Sequence, residues 1–351
     1  MSTTLAVLLT VYFFLFAFLA WRRPFAALCL ITAFLPSYLI RFNVMGIPMT
    51  MLEGMILILI TVIIIKKLQI ANCRLQIADL NPRFAICNLQ FAIPIVLLLL
   101  AATVSMFIAP DLRAAAGIWK AYFIEPFLFF AIMLSILKTE KDRQWLILSL
   151  GISALYISAF AVYQKFTGFL IPNPFWAAEA TRRVTSVYGY PNAIGLYVAP
   201  IIVLAVGQLL SILQSWKNPK SQITTTKQIP NPKLQTKQNF SHWNLDIGHC
   251  LEIGYWSLVI LSSALAIIFS HTEGAWIAIP LGLIFFGLLM KKYRRLTGIL
   301  TILAILIILT ILPLRSYIWR QITLQGDSGK IHLTIWKESQ AMLREIGRAH
   351  V

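Results

Sequence analysis

Two adjacent arginines lie in a segment rich in turn-forming and aromatic residues, just before a long apolar stretch. Arg182 and Arg183 precede a Tyr-Gly-Tyr-Pro-Asn run that ends at Asn192. A guanidinium can bind a diphosphate through two parallel hydrogen bonds. A helix that begins at Pro191 and Asn192 would direct its N-terminal amides at the same anion. The pattern indicates an anion site that includes Arg183 and Asn192, with interfacial anchoring by Arg and Tyr as the alternative.

Ionisable residues within apolar segments form a second group of candidates. Lys120 and Glu125 lie in one such segment, and Glu53 begins another. Charges at such positions are rare in membrane segments and are functional candidates by default. The sequence therefore predicts Lys120 as a substrate-binding residue. A purely structural ion pair between Lys120 and Glu125 is the competing interpretation.

Further candidates lie later in the chain. Glu273 occupies a short polar turn between two apolar stretches, where a solvated acid is an equally good interpretation. Basic and aromatic residues follow the last apolar stretch and suit an anionic lipid headgroup or a sugar, although an amphipathic interfacial helix would carry the same pattern. The predicted substrate-binding residues there are Arg315, Arg320, Lys330 and His332.

The sequence contains no motif for metal, nucleotide or nucleophilic-serine chemistry. Walker A, Gly-x-Ser-x-Gly, His-Glu-x-x-His and Rossmann patterns are all missing. Cys29, Cys73, Cys87 and Cys250 form neither a Cys-x-x-Cys pair nor a Cys/His metal spacing. We therefore expect no disulfide framework, no metal and no cofactor.

The composition explains why these residues would lie at a membrane. Of the 351 residues, 59% are hydrophobic and 12% are charged, whereas a soluble domain has about 25% charged residues. The charged residues gather between apolar runs. These features predict an all-α fold, a polytopic bundle of transmembrane helices. The net charge of +17 then reports orientation and anionic lipids or substrates, and we expect no nucleic-acid partner.

Ten stretches are apolar and long enough to cross a bilayer, which requires about 20 residues, or a few less with interfacial anchors. The first lacks a basic n-region and a convincing cleavage site, so it is predicted to be a span and not a signal peptide. The stretches are 4–20, 24–40, 50–65, 93–109, 116–137, 144–164, 193–214, 256–270, 275–290 and 297–313.

Basic residues in alternate loops favour an N-terminus outside the cell membrane. With this orientation 18 of the 30 Lys and Arg residues lie in cytoplasmic loops, in keeping with the positive-inside rule. Segments 165–192 and 314–351 then lie outside. The arginine pair and the C-terminal basic and aromatic residues would therefore share one membrane face.

The chain divides by pattern into a helix bundle at 1–313 and the start of a periplasmic loop domain at 314–345. Residues 329–345 carry apolar and charged side chains at helical spacing, which predicts a helix there. Residues 346–351 are expected to be a non-native tail.

Two predicted cytoplasmic loops differ in character from the rest. Residues 66–92 and 216–255 contain short repeats and polar low-complexity sequence. We expect both to be insertions that are dispensable for activity, with amphipathic surface helices as the alternative.

Three short stretches occur in a characteristic order. The first is an Arg-x-x-small-x-aromatic-x-x-Pro-Asn pattern from Arg183 to Asn192, directly before a span. The second is the turn at 272–275, Thr-Glu-Gly-Ala, in the place of a Ser-Arg-Gly-Ala turn. The third runs from His332 to Trp336, in the place of Arg-x-x-Leu-Trp. In these features the sequence resembles the O-antigen ligase and O-antigen polymerase superfamily over most of its length, the two insertions excepted.

The resemblance implies a multi-pass glycosyltransferase of the bacterial inner membrane. It would move a glycan from undecaprenyl diphosphate to an acceptor hydroxyl on the periplasmic side. Acceptors in the family are a lipid core, a protein or a growing polysaccharide, and ligation is not separated here from polymerisation. Arg and Lys would stabilise the diphosphate leaving group, so that no metal is required. In the family a His that follows the Trp336 helix removes the acceptor proton; we expect that base beyond residue 351 and expect this chain alone to be inactive.

Two positions depart from the family pattern. Glu273 and His332 stand where many members have Arg. The loss of a positive charge at each position weakens the inference that these residues bind a diphosphate as in the family, unless Lys330 substitutes. The alternative function is a transporter or flippase for a lipid-linked or anionic substrate. That function would call for broken helices and repeated halves, and the sequence contains no such repeat.

Overall fold

The described part of the chain is almost entirely α-helical, which confirms the predicted all-α class. Among the described residues there is also one antiparallel hairpin, with β1 (Arg41–Val44) paired to β2 (Ile47–Thr50) so that Arg41 faces Thr50. The computed structural model describes residues 3–44, 46–73, 82–217, 235–310, 316, 319–320, 323, 325 and 327–349.

Thirteen α-helices follow one another along these residues. A π-helical turn at Lys120–Ile124 joins α5 to α6. The helices are α1 (Thr3–Arg22), α2 (Pro24–Ala33), α3 (Met51–Cys73), α4 (Pro82–Ile108), α5 (Leu112–Trp119), α6 (Glu125–Ile136), α7 (Glu140–Thr167), α8 (Pro174–Ala177), α9 (Asn192–Lys217), α10 (Gln235–Ser270), α11 (Glu273–Leu289), α12 (Arg294–Thr310) and α13 (Asp327–Ala349).

Local sequence signals account for several helix ends. Thr139 and Asp142 form a capping box at the start of α7, because each side chain accepts the backbone N–H of the other residue. Gly168 ends the same helix with φ of 70°, a left-handed conformation that costs glycine little. Thr50 and Glu53 form the equivalent reciprocal pair at the start of α3.

A helix overlaps each of the ten predicted spans, but the second prediction is wrong in its last part. The stretch 24–40 stays helical only to Ala33 and continues as a 3₁₀ turn at Leu35–Leu39. Pro36 explains the break, since proline disfavours helical geometry at the residue before it.

Four helical segments in the described part are long and apolar enough to cross a membrane: Leu112–Ile136, Glu140–Thr167, Asn192–Gln214 and His249–Ser270. Apolar side chains also face outward; Phe14 is 73% and Phe107 is 70% exposed. Such surfaces suit contact with lipid. The structure therefore supports membrane association, while the count of ten spans stays a prediction.

Helices α1, α2, α3, α6 and α7 share one apolar core. Phe16, Leu28, Ile31, Met55 and Leu59 are completely or almost completely buried within it. The backbone groups of each helix are hydrogen-bonded within that helix, so the helices contact one another mainly through side chains. The side chains of this core therefore determine how the five helices pack together.

The chain separates into two units, Met1–Trp276 and Ile277–Val351. In the second unit α12 lies against Gly287, where an added Cβ would come within 2.3 Å of the Thr297 hydroxyl. Helix α13 confirms the helix predicted at 329–345 and includes residues 346–349.

The two presumed insertions are largely helical where they are described. Helix α3 continues through Cys73, and α4 begins at Pro82. Helix α10 begins at Gln235 and is continuous with the apolar segment that ends at Ser270. Residues 74–81 and 218–234 lie outside the described part, and the dispensability of both insertions stays a prediction.

Candidate anion site at the start of helix α9

Arg183 lies in the connection between α8 and α9 and is held by three neutral oxygens. Its Nε donates to the Ser270 carbonyl at 3.0 Å, and its Nη2 donates to Asn192 Oδ1 at 3.1 Å and to the His271 carbonyl at 3.2 Å. The structure thus brings together two predicted site residues, Arg183 and Asn192. The Thr272 hydroxyl also donates to the Pro191 carbonyl at 3.4 Å, so the first two of the three stretches that carry the resemblance are in contact.

The turn that receives Arg183 is itself tightly fixed. His271 has φ of 52°, and the hydroxyls of Ser270 and Thr272 are 2.7 Å apart. Gly195 lets α9 approach this turn, since an added Cβ would lie 2.3 Å from the Thr272 methyl. Glycine is therefore required at 195 for a close approach between α9 and the α10–α11 turn.

Gln164 positions the loop that carries Arg183. Its side chain is fully buried. Its Oε1 accepts the backbone N–H groups of Thr185 and Ser186 at 3.0 and 2.7 Å, and its Nε2 donates to the carbonyls of Leu170 and Ser186 at 2.8 and 3.0 Å. All four bonding capacities of the amide are used. They hold Ser186 at φ of 51°, an uncommon conformation for a residue with a side chain.

Two further cations lie beside Arg183. Lys165 Nζ donates to the Arg182 carbonyl at 3.1 Å, and Arg182 Nη1 donates to the Lys165 carbonyl at 2.9 Å. The ion pairs found within the described residues are Glu53–Lys120 and Glu140–Arg143, so none of these three cations has a carboxylate partner there. The loop therefore carries positive charge that an external anion could neutralise.

The amides at the start of α9 are less free than the sequence suggests. Ala193 N donates to the Tyr190 carbonyl at 3.4 Å, and Ile194 N donates to the Pro191 carbonyl at 3.1 Å. The predicted contribution of helix N-terminal amides to anion binding is therefore reduced. The guanidinium of Arg183 is the principal donor at this position.

Lys120 forms an ion pair, but with a different acid from the one considered in the sequence analysis. Its Nζ is 2.9 Å from Glu53 Oε1 and also donates to the Pro48 carbonyl at 3.0 Å. The alternative interpretation, a Lys120–Glu125 ion pair, is wrong in its partner, because the Lys120 ammonium pairs with Glu53 instead. The side chain of Glu53 is 7% exposed, so Lys120 compensates a buried carboxylate and is not a free cation.

The loop also carries a buried tyrosine, Tyr188, whose ring centre lies 6.2 Å from that of Tyr197 in α9. Tyr188 is 4% exposed, and its hydroxyl has no hydrogen-bond partner among the described residues. Burial raises the pKa of Tyr188 well above its ordinary value, with a smaller contribution from Tyr197.

One further predicted site residue, Glu273, directly follows the turn that holds Arg183. Glu273 is the first residue of α11 and is exposed. Arg320, Lys330 and His332 belong to the second unit and are exposed; the His332 ring lies 6.3 Å from that of Trp336. Arg315 lies outside the described residues.

Metal-binding residues do not cluster in the described part of the chain, where no group of three or more His, Cys, Asp or Glu side chains could hold an ion. The groups that sequence reasoning missed are Gln164, Lys165 and the carbonyls of Ser270 and His271 that accept from Arg183. The available signal was Gln164 itself, an amide side chain that follows a long apolar stretch of α7, since buried amides in such helices need partners.

Comparisons with known proteins add no relative to this picture. No protein-family model matches the chain, and no curated protein and no solved structure matches it.

Proposed function

We propose that this protein is a membrane glycosyltransferase of the O-antigen ligase and polymerase type, in which Arg183 binds the diphosphate of an undecaprenyl-linked glycan. The observation that carries the proposal is the state of Arg183. Its guanidinium is fixed by three neutral oxygens, lacks a carboxylate partner within the described residues and belongs to the first of the stretches that resemble the family.

The geometry of this arginine suits a diphosphate for two reasons. Carbonyl and amide oxygens hold Nε and Nη2, so the planar fork is already oriented when the ligand arrives, and less side-chain entropy is lost on binding. The remaining donor, Nη1, has no partner within the described part of the chain. Lys165 and Arg182 raise the positive potential around Arg183, and their own hydrogen bonds go to each other's carbonyls and leave Nη1 of Arg183 available.

In the proposed reaction an acceptor hydroxyl attacks the anomeric carbon, and the bond to the diphosphate oxygen breaks. Negative charge grows on the leaving diphosphate, and a positioned guanidinium stabilises that charge more in the transition state than in the ground state. The proposal assigns Arg183 this role. The base that accepts the hydroxyl proton stays an expectation from the family.

Binding of undecaprenyl diphosphate to the purified protein tests the proposal. Arg183→Ala should weaken binding about 10- to 100-fold, because a hydrogen bond to a charged group contributes about 1.5–3 kcal/mol. Arg183→Lys should restore part of the affinity, since an ammonium keeps the charge and loses the bidentate fork. The full-length protein with Arg183→Ala should insert normally and lose glycan transfer in cells.

Two further variants separate recognition from folding. Arg183→Gln removes the charge but keeps an amide that can donate to the Ser270 carbonyl, so its thermal stability should stay close to that of the wild type while binding is lost. Arg113→Ala is the matched control, because Arg113 is exposed near the start of α5 and has no hydrogen-bond or ion-pair partner in the described structure. Wild-type affinity in Arg183→Ala, or an equal loss in Arg113→Ala, would refute the assignment.

A further inference from the structure

A cavity of about 600 Å³ lies between parts of three helices, on the side of the bundle predicted to face the cytoplasm. Its wall comes from the start of α2, the C-terminal half of α3 and the end of α6. Phe25, Ile63 and Ile136 are among the apolar residues that line it. The volume falls within the range of ordinary small-molecule sites, about 300–1,000 Å³.

Three cations line the same cavity. Arg23 comes from the α1–α2 junction, Lys66 from α3 and Lys138 from the α6–α7 connection. These residues are separated in sequence, and the packing of α1, α2, α3 and α6 into one core brings them together. No acidic residue is among the described residues that line the cavity.

The positive charge of this cavity is largely uncompensated. The side chains of Arg23 and Lys138 have no hydrogen-bond or ion-pair partner within the described structure. The nearest acids in sequence are engaged elsewhere: Glu140 pairs with Arg143, and Asp142 accepts the backbone amides of Lys138 and Thr139. An external anion is therefore the available counterion.

Lys66 is held in place by an aromatic residue at the membrane boundary. Its Nζ donates to the Trp21 carbonyl and lies 5.5 Å from the centre of the Trp21 ring. Trp21 is 41% exposed, as expected for a tryptophan at a membrane interface. This arrangement fixes the position of one cation of the cavity.

We infer that this cavity binds an anionic phospholipid, with the phosphate between Arg23, Lys66 and Lys138 and an acyl chain against the apolar wall. The three cations, none of which is paired with an acid among the described residues, match the phosphate of such a lipid, and the apolar wall matches its acyl chain. Basic pockets between helices on the cytoplasmic side of a membrane suit acidic headgroups. The inference requires membrane association and is independent of the proposed glycosyltransferase activity.

The test compares two double variants with the same change in charge. Arg23→Gln with Lys138→Gln removes two cations of the cavity. Arg22→Gln with Lys141→Gln removes an adjacent arginine and a nearby lysine, both exposed and both outside the cavity lining. Binding of phosphatidylglycerol to the detergent-purified full chain is measured by native mass spectrometry, with phosphatidylcholine and glycerol 1-phosphate as comparison ligands.

Wild-type protein should bind phosphatidylglycerol in preference to both comparison ligands. The cavity variant should lose about 10- to 30-fold in affinity, because each cation near an anionic lipid surface contributes roughly a fivefold factor. The control variant should keep its affinity. Equal losses in both variants would show a general effect of charge and overturn the site. Equal binding of phosphatidylcholine would overturn the role of charge, and equal binding of glycerol 1-phosphate would overturn the role of the apolar wall.

Discussion

Replacement of Gln164 by Leu should release the loop that carries Arg183 while leaving the helix bundle folded. Leu has nearly the same size as Gln and suits an apolar helix, so the packing of α7 is retained. The substitution removes four hydrogen bonds to the backbone at residues 170, 185 and 186. The loop then has no partner for the buried N–H groups of Thr185 and Ser186.

The magnitude follows from those two amides. A buried donor left without a partner costs about 1–3 kcal/mol, so the pair costs roughly 2–6 kcal/mol if the loop stays in place. The loop can avoid part of this cost by opening to solvent. With 1.4 kcal/mol per factor of ten, local opening should become more favourable by at least about 30-fold. Ser186, at φ of 51°, would also leave its uncommon conformation.

Hydrogen exchange of the peptide that spans 183–190 measures this opening. Exchange at Thr185 and Ser186 should accelerate by about 30-fold or more, and affinity for undecaprenyl diphosphate should fall because Arg183 is no longer oriented. Gln144→Leu is the matched control: it makes the same change on the same helix at an exposed position. If protection of the two amides is unchanged in Gln164→Leu, or falls equally in the control, Gln164 does not hold the loop.

Three further outcomes are expected from thermal unfolding. Lys120→Met should destabilise the protein by about 3 kcal/mol, the lower end of the usual range, because Glu53 stays buried without its partner while Lys120 itself is 31% exposed. Adding Glu53→Gln should recover much of this loss. Strictly additive effects of the two substitutions would contradict the pairing. Gly195→Ala should cost about 1–3 kcal/mol by overpacking, whereas Gly117→Ala, where a Cβ meets open space, should not destabilise. Tyr188→Phe should leave stability at pH 7 unchanged or higher, since the hydroxyl has no described partner. Burial raises the pKa of Tyr188, so the stability of the wild type should fall as the pH rises above about 10, the pKa of an unfolded tyrosine. Tyr188→Phe should lose less stability above that pH. An equal loss in both proteins would show that Tyr188 does not cause the pH dependence.

Local and compositional features were predictable from the sequence. Helix stability in an apolar environment depends on hydrogen bonds within each segment, so apolar length alone indicated a helix at each of the ten stretches. The end of α7 at Gly168 reflects glycine at a left-handed position. The sequence also identified Arg183 and Asn192 together, because they lie only nine residues apart in one motif; their side chains meet where the loop enters α9.

Tertiary structure alone decided which groups neutralise or hold the candidate residues. Lys120 pairs with Glu53, 67 residues away, and not with the nearby Glu125. Arg183 is held by carbonyls 87 and 88 residues further along the chain. Uniformly apolar helices have no polar face that indicates their rotation or neighbours, in contrast to amphipathic helices. The packing between helices therefore determines which residue pairs with a charged side chain at the end of such a helix, and the local sequence does not predict that residue.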